Sequence, residues 1–220
     1  AKMDLDIQVS KLQLLKQSFL SQKYEMEDKA VRYFPNKIKQ CEQRIEDYES
    51  DIALAKANTP PDREAFSEMQ IHDVVYAEKK EAGQAIIEAC KAMKSAEVVL
   101  IGRYRGFPMK LSYDFFQKVF VISMYGKQVY HVPLGLDIHG NITRLDNKLQ
   151  ELPDKMLRWQ DELENLKVQL ENAKEEAQKE FPQEEELEEK VARLGELNVL
   201  LDMDKKGHVL LDDGEGVEIE

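Results

Sequence analysis

Two stretches of the chain carry apolar residues at alternating intervals of three and four, and this spacing constrains the fold more than any other feature. In the first stretch the apolar residues are Ile38, Cys41, Ile45, Tyr48, Ile52 and Ala55. In the second they are Trp159, Leu163, Leu166, Leu170, Ala173 and Ala177. This spacing is typical of the buried seam of a coiled coil, with charged residues at the solvated positions between. The sequence therefore predicts two long helical arms.

Each arm contains a Phe-Pro dipeptide at which we expect the helix to break. Proline has no backbone N–H and disfavours a helical conformation in the residue before it. The first arm, residues 4–57, is expected to break at Phe34-Pro35, and the second, residues 154–203, at Phe181-Pro182. Residues 204–220 are predicted to form a C-terminal tail.

The two breaks would lie side by side if the arms paired antiparallel within one chain. Residues 36–57 would then pack against 155–180, and residues 4–33 against 183–203, with both chain ends together. Association of each arm with an arm of a second chain is the alternative, because a short apolar seam does not fix partner or orientation.

Between the arms, residues 62–153 have the pattern of a small α+β module. Short runs rich in Val, Ile, Phe and Tyr are separated by turn residues such as Gly106, Asp114 and Gly126. The predicted strands are residues 66–71, 74–76, 97–104, 107–113, 119–125 and 128–134.

Two helices are expected in this module. The first covers residues 78–94 and has one apolar face, and the second is a short helix over 142–152 with Asn141 as its N-cap. The fold class is therefore α+β. We expect a small antiparallel meander with one packed helix, inserted between two long helical arms that form an antiparallel coiled coil.

Charge, hydropathy and cysteine content limit the partners and the cellular compartment that we expect for this chain. The chain has 220 residues and a formal net charge of −12, so it repels nucleic acid and anionic membrane unless positive charge is concentrated locally. No apolar run is long enough to span a bilayer and no secretory signal is visible, so we expect a cytoplasmic protein with no membrane partner. Cys41 and Cys90 lack metal-ligand spacing, and we expect them to be free, buried thiols in a reducing compartment.

Motifs that carry catalytic chemistry are absent from the sequence. There is no GxxxxGK[ST] phosphate loop, no GxGxxG and no GxSxG nucleophile motif. The four histidines are scattered, and none lies at metal-ligand spacing from another histidine or a cysteine. We therefore expect no enzyme activity, no cofactor and no metal site in this chain.

Positive charge is concentrated in the second half of the α+β module. Residues 98–148 contain seven basic and three acidic residues, interleaved with aromatic side chains. Basic strands that carry aromatics can bind nucleic acid by phosphate contact and base stacking. The candidate DNA-binding residues are Arg103, Arg105, Lys110 and Arg144. In the alternative interpretation the aromatics are core residues and the basic side chains form a solvated face.

Several segments carry a resemblance to a known family. They are KYEMEDK at 23–29, YFP at 33–35, EAG at 81–83, IGRYRGF at 101–107, GNITR at 140–144 and FPQEEEL at 181–187. Together they resemble the C-terminal region of the large helicase–DNA methylase fusion proteins of bacterial conjugative and other mobile elements. Such proteins join an adenine-specific DNA methyltransferase region to a Swi/Snf-like helicase region. The resemblance covers nearly the whole chain.

The resemblance implies an accessory module, with catalysis in the methylase and helicase regions of a larger chain and no catalytic residue here. The first hypothesis is a non-catalytic module that aids DNA engagement, with DNA and the rest of the parent chain as partners. The second is a coiled-coil spacer or protein-interaction module without nucleic-acid contact. The first predicts basic residues clustered on one exposed sheet face, and the second predicts an exposed apolar patch.

Overall fold

The computed structural model describes residues 2–62, 65–94 and 97–212, with side chains described up to residue 203. The chain divides into two compact units. The helical unit comprises Ala1–Pro35 and Val168–Glu220, and the sheet unit comprises Asn36–Lys167. None of the described helices is both long and apolar enough to cross a membrane.

Helices and one antiparallel sheet make up the described part of the chain, and the α+β class predicted from the sequence is confirmed. The helices are α1 (Lys2–Asp28), α2 (Phe34–Ala57), α3 (Lys79–Ala92), α4 (Ile138–Gln150), α5 (Leu152–Gln178) and α6 (Glu184–Asp212). The strands are β1 (Met69–Ile71), β2 (Val74–Tyr76), β3 (Val99–Tyr104), β4 (Phe107–Asp114), β5 (Val119–Tyr125) and β6 (Val129–Pro133). Their order in the sheet is β2-β1-β3-β4-β5-β6, so β3 to β6 form the expected meander and the β1–β2 hairpin extends it beside β3.

A π-helical turn, Lys29–Tyr33, joins α1 to α2 where we expected the helix to break at Phe34-Pro35. The Phe34 N–H donates to the carbonyl of Lys29, five residues earlier. In a regular α-helix the Pro35 ring would collide with the carbonyl four residues before it. The wider π turn displaces that carbonyl, so the backbone stays helical through the proline. The dipeptide therefore coincides with a change of helix type and not with an end of the helix.

The second helical arm breaks where the sequence predicted, but its last helix extends further than predicted. α5 ends at Gln178 and α6 begins at Glu184, so Phe181-Pro182 lies in a non-helical connection. α6 then continues to Asp212, beyond the expected start of the tail at residue 204. Gly207 is a weak helix former within this extension, but one interior glycine costs only about 1 kcal/mol relative to alanine. Residues 213–220 of the expected tail lie outside the described part.

In the helical unit, α1 packs against α6 of the same chain. Val9 and Leu12 form a buried cluster with Leu187, and the Phe19 and Phe181 rings lie 5.6 Å apart. Polar contacts run alongside: Lys190 Nζ donates to Gln8 Oε1 at 2.7 Å, Lys16 pairs with Glu184, and Lys23 Nζ donates to the Lys179 carbonyl at 3.2 Å. Partner numbers fall along α6 as they rise along α1, so the two helices run antiparallel.

In the sheet unit, helices cover one face of the sheet. We expected one packed helix, but both α3 and α4 contribute to the core, with Ala82 and Ile86 from the first and Ile142 and Leu145 from the second. The sheet contributes Met69, Ile71, Ile101, Tyr104, Phe107, Met109, Leu111, Ile122, Met124, Tyr130 and Val132. Tyr48 and Ala55 of α2 join the same cluster. Trp159 of α5 packs against the same cluster, and the Arg44 guanidinium of α2 lies 4.8 Å from the centre of its ring.

The start of α4 differs from the prediction. Asp137 and not Asn141 is the N-cap, because its carboxylate accepts the N–H of Gly140 at 2.7 Å and that of His139 at 3.3 Å. The helix therefore begins four residues earlier than expected. This places Asn141 inside the first turns of the helix, ahead of the buried apolar residues Ile142, Leu145 and Leu149.

The opposite face of the sheet, called here the open sheet face, is largely exposed. Cross-strand neighbours on this face include Leu100 with Lys110, Lys110 with Ser123, and Ser123 with His131. Arg103 lies on the same face, because it pairs with Gln70 of β1 and Pro108 of β4. Exposure varies over this face, from 60% at Leu100 to 5% at Ser123.

A buried carboxylate, Asp51, joins α2 to the sheet. It is only 1% exposed and accepts three hydrogen bonds: from the backbone N–H of Lys127 at 2.7 Å, from that of Gln128 at 2.9 Å, and from the Tyr130 hydroxyl at 2.6 Å. Burial and this hydrogen bond to a carboxylate raise the pKa of Tyr130 well above its ordinary value. Gly126 completes the contact, because a Cβ there would lie 2.3 Å from an Asp51 oxygen.

We expect Asp51→Asn to lower the free energy of unfolding by about 2–4 kcal/mol, because an amide cannot accept from all three donors and its NH₂ would face backbone N–H groups. Urea unfolding followed by circular dichroism measures the change. Glu49→Gln is the matched control, since it removes the same charge from an exposed position on the same helix. Equal stability of the two variants would contradict the role given to Asp51.

Candidate interaction surfaces

The four basic residues predicted to bind DNA fall into two groups. Arg103 and Lys110 lie on the open sheet face, and the Lys110 ammonium sits 4.5 Å from the centre of the Tyr125 ring. Arg105 and Arg144 are each held by other side chains of the sheet unit. The structure therefore places two of the four basic residues on one sheet face, Arg103 exposed and Lys110 half-buried, and the other two elsewhere in the sheet unit.

Arg105 belongs to a buried network at the β3–β4 turn. Arg105 and Gly106 both have positive φ, 45° and 85°, as a two-residue turn of this hand requires. The Arg105 guanidinium lies 3.2 Å from Asp146 of α4, and the Tyr104 hydroxyl donates to the same carboxylate at 2.6 Å. Burial, with Asp146 alongside, raises the pKa of Tyr104 far above its ordinary value. The guanidinium thus ties the turn to α4.

Arg144 supports the loop before α4. Its Nη1 donates to the Asn141 side-chain oxygen at 3.2 Å. Asn141, which is fully buried, accepts the Gly135 N–H at 2.7 Å and donates to the Gly135 carbonyl at 3.0 Å. This bidentate pairing closes the loop between β6 and α4. Asn141, which we expected to cap the helix, therefore holds the loop closed by its hydrogen bonds to Gly135. Arg144 supports this contact by its hydrogen bond to the Asn141 side chain.

The sequence analysis did not identify a group of apolar side chains at one end of the sheet. The apolar sheet end, as we define it, consists of Val98, Phe115, Phe116 and Leu136. Phe116 is 96% exposed and Leu136 is 99% exposed. Three connections meet there: the entry to β3, the β4–β5 turn, and the β6–α4 loop, which the Leu134 N–H holds beside β5 by donating to the Phe120 carbonyl at 2.8 Å.

A side-chain cap shapes the β4–β5 turn. Asp114 Oδ1 accepts the N–H of Phe116 at 2.9 Å and that of Gln117 at 3.0 Å. Tyr113 packs edge-on against both Phe115 and Phe120, with ring centres 5.0 Å apart in each case. The sequence did contain a signal for this surface: two consecutive phenylalanines follow a turn-forming aspartate, where a solvated turn would carry polar residues.

The opposite end of the sheet is occupied by α2. A Cβ at Gly106 would lie 2.7 Å from the Asn58 side chain and 2.8 Å from that of Leu54, and Gly126 meets Asp51 in the same way. Both turns at this end therefore approach the helix as closely as only glycine permits. The two ends of the sheet are thus distinct: one is closed by α2, and the other exposes the apolar sheet end.

Neither thiol has the character of a nucleophile. Cys41 and Cys90 are buried and unbridged. Burial raises the pKa of Cys90 to about 11 and also raises that of Cys41. Reactive cysteines need a stabilised thiolate, and these surroundings disfavour it. Among the described residues, no group of three or more His, Cys, Asp or Glu side chains is placed to hold a metal ion.

A serine–histidine contact lies on the open sheet face and was not anticipated. Ser123 Oγ and His131 Nδ1 are 2.8 Å apart, across the β5–β6 pair. Ser123 is buried in mid-strand, whereas His131 is exposed. The geometry is that of a cross-strand hydrogen bond between directly opposed residues, which stabilises the pairing of the two strands.

Comparisons with known proteins do not identify a relative. No family model matches the chain, and no curated protein and no solved structure gives a match.

Arg105→Ala should destabilise the protein by about 1–3 kcal/mol, because it leaves the Asp146 carboxylate without its cationic partner. Arg103→Ala should change the free energy of unfolding by no more than about 0.5 kcal/mol, as is usual for an exposed side chain. Urea unfolding of both variants tests the division into structural and exposed arginines. A larger loss for Arg103→Ala than for Arg105→Ala would contradict it.

Proposed function

We propose that this chain is a non-catalytic accessory module that docks on a folded protein partner through the apolar sheet end. The observation that carries the proposal is the near-complete exposure of Phe116 and Leu136 beside Phe115, which is 67% exposed. Burying one such side chain is worth about 1.5–3 kcal/mol, and aromatic anchors of this kind dominate protein interfaces. Within this chain these side chains are exposed, so the free energy of burying them is available to a binding partner.

Charge supports a protein partner over a membrane. The formal net charge of −12 makes approach to an anionic bilayer unfavourable, whereas an apolar pocket on a protein imposes no such barrier. In the larger helicase–methylase chain that the sequence resemblance implies, the pocket would belong to another region of that chain or to a protein it works with. The antiparallel packing of α1 with α6 suits the role of a coiled-coil spacer.

Site-specific photocrosslinking tests the docking surface directly. The photoreactive residue p-benzoylphenylalanine replaces Phe116 in one variant and Tyr24, a 63% exposed aromatic of the helical unit, in the control. Crosslinked products formed in cells are mapped by mass spectrometry. We expect position 116, and not position 24, to give a product with defined residues of one folded protein. That product should disappear when Leu136→Ser is added, because the two side chains share the surface.

The fold of each variant is checked by thermal unfolding, which exposed substitutions should leave nearly unchanged. Crosslinking from position 116 no stronger than from position 24 would refute the docking surface. Products confined to lipid or to a second copy of this chain would also refute it, because they would replace the protein partner with a different one.

DNA engagement is the second candidate function, and one observation favours it. Arg103 of β3 and Lys110 of β4 lie on the same sheet face, and the Tyr125 ring of β5 packs against the Lys110 ammonium. Two basic side chains give a modest contact. Each neutralised phosphate of duplex DNA changes the slope of log affinity against log salt by about −0.9, so this face supports a slope of about −2.

For this second function we expect Arg103→Ala and Lys110→Ala each to make the salt slope less negative by about 1 in fluorescence anisotropy with labelled duplex DNA. Lys39→Ala, an exposed lysine of α2, is the charge-matched control and should leave the slope unchanged. Absence of binding at low salt would eliminate DNA engagement by this chain without bearing on the protein-docking surface.

A further inference from the structure

A cleft of about 400 Å³ opens beside the β3–β4 turn of the sheet unit. Its walls come from the chain segment that follows α2, from the approach to β1, from β2 and from the β3–β4 turn. The residues that line it are Asn58, Thr59, Pro60, Ser67, Glu68, Gln70, Val75, Arg103, Arg105 and Gly106. A volume of this size is within the range of sites that hold small ligands.

Two buried polar groups at this cleft lack hydrogen-bond partners within the described part of the chain. They are the hydroxyl of Ser67, a residue only 4% exposed, and Nε of Arg105. A buried polar group without a partner is costly, and native structures rarely contain one without a reason such as a ligand or an ordered water. Two such groups along one cleft mark it as a built recess rather than a gap between surface side chains.

The end of α2 would ordinarily make this recess unfavourable to an anion, because carbonyl oxygens emerge at a helix C-terminus. Here side-chain donors form hydrogen bonds with these carbonyl oxygens. Asn58 Nδ2 donates to the Leu54 carbonyl at 2.8 Å, and Thr59 Oγ1 donates to the Ala55 carbonyl at 2.7 Å. The carbonyl of Lys56 accepts the Thr59 N–H at 3.2 Å. The last turn of the helix therefore presents few free acceptors to the cleft.

The remaining polar groups of the cleft are mainly donors. Arg103 brings an exposed guanidinium and Ser67 an unused hydroxyl, whereas the Arg105 guanidinium is already paired with Asp146. Asp146 offsets the charge of Arg105 from the far side, and Glu68 is the carboxylate among the described lining residues. A ligand suited to this set has several oxygen acceptors, negative charge and a compact shape.

We propose that the cleft binds a phosphate group, with the Arg103 guanidinium as its principal ligand and the Ser67 hydroxyl as a further donor. Guanidinium groups bind phosphate through paired N–H donors, which makes arginine the residue best matched to this ligand. The phosphate belongs either to the end of a nucleic-acid strand or to a small phosphorylated molecule. The site is separate from the apolar sheet end, so a negative result for phosphate binding would not bear on the docking function, and the reverse also holds.

Three probes are titrated into the full 220-residue chain by isothermal titration calorimetry, at constant ionic strength set with chloride. They are inorganic phosphate, a short oligonucleotide with a 5′-phosphate, and the same oligonucleotide without it. Amide chemical shifts from NMR locate the site. We expect saturable binding of at least one phosphate-bearing probe, with shift changes at Ser67, Arg103 and Gly106. Tighter binding of the phosphorylated oligonucleotide than of inorganic phosphate assigns the ligand to a strand end, and the reverse assigns it to a small molecule.

Three variants test whether phosphate binds in the cleft rather than elsewhere on the sheet unit. Arg103→Ala should weaken phosphate binding at least about tenfold, as loss of a charge-assisted hydrogen bond predicts. Glu68→Gln should strengthen it, because it removes the opposing carboxylate. Lys110→Ala lies outside the cleft and should leave it unchanged, which distinguishes the cleft from DNA contact by the open sheet face.

The proposal is overturned if no phosphate-bearing probe binds saturably. It is also overturned if the oligonucleotide binds saturably and equally well with and without its 5′-phosphate, or if Arg103→Ala leaves the affinity unchanged in a variant that retains the circular dichroism of the parent. Weaker binding by Glu68→Gln would contradict the electrostatic basis of the site.

Discussion

The Asp51 carboxylate is the contact on which the arrangement of the sheet unit depends. It removes two backbone N–H groups and one hydroxyl from solvent at a single turn, and it fixes α2 against one end of the sheet. A buried charge is tolerated only where hydrogen bonds replace its hydration, and three donors meet that condition. Because α2 closes this end, the loops at the opposite end are the ones left to carry exposed side chains. The candidate docking surface therefore lies at the end of the sheet that α2 does not close.

The sequence predicted the strands of the meander well because their residues alternate and their turns contain glycine or aspartate, and both signals are local. It located α4 poorly because Asp137 and Asn141 are both good N-caps, and the choice between them depends on Gly135, whose backbone occupies the Asn141 amide. The proline at position 35 was misleading for a related reason. A proline is incompatible with a regular α-helical turn, but the backbone can accommodate it either by a wider π turn or by a break in the helix.

The candidate surfaces were predictable only in part. Alternation along β3 and β4 places Arg103 and Lys110 on one face, so this shared face was within reach of the sequence. The engagement of Arg105 was not, because its partner Asp146 lies 41 positions away on a helix whose packing was not foreseen. The cleft beside Arg103 depends on segments from α2 to β4, and no local pattern encodes their convergence. Phe115-Phe116 was visible in the sequence, and only its exposure had to come from the structure.

The capped turn that carries Phe115 and Phe116 has a consequence for how tightly and how fast a partner could be held. Asp114 fixes the backbone of the turn by two hydrogen bonds, and Tyr113 restrains the Phe115 ring from one side. Much of the conformational entropy that a flexible loop would lose on association has therefore been lost already in folding. A surface preorganised in this way associates with little rearrangement, so differences among its complexes should reside in their lifetimes. The turn is better suited to lasting attachment within an assembly than to brief exchange between partners.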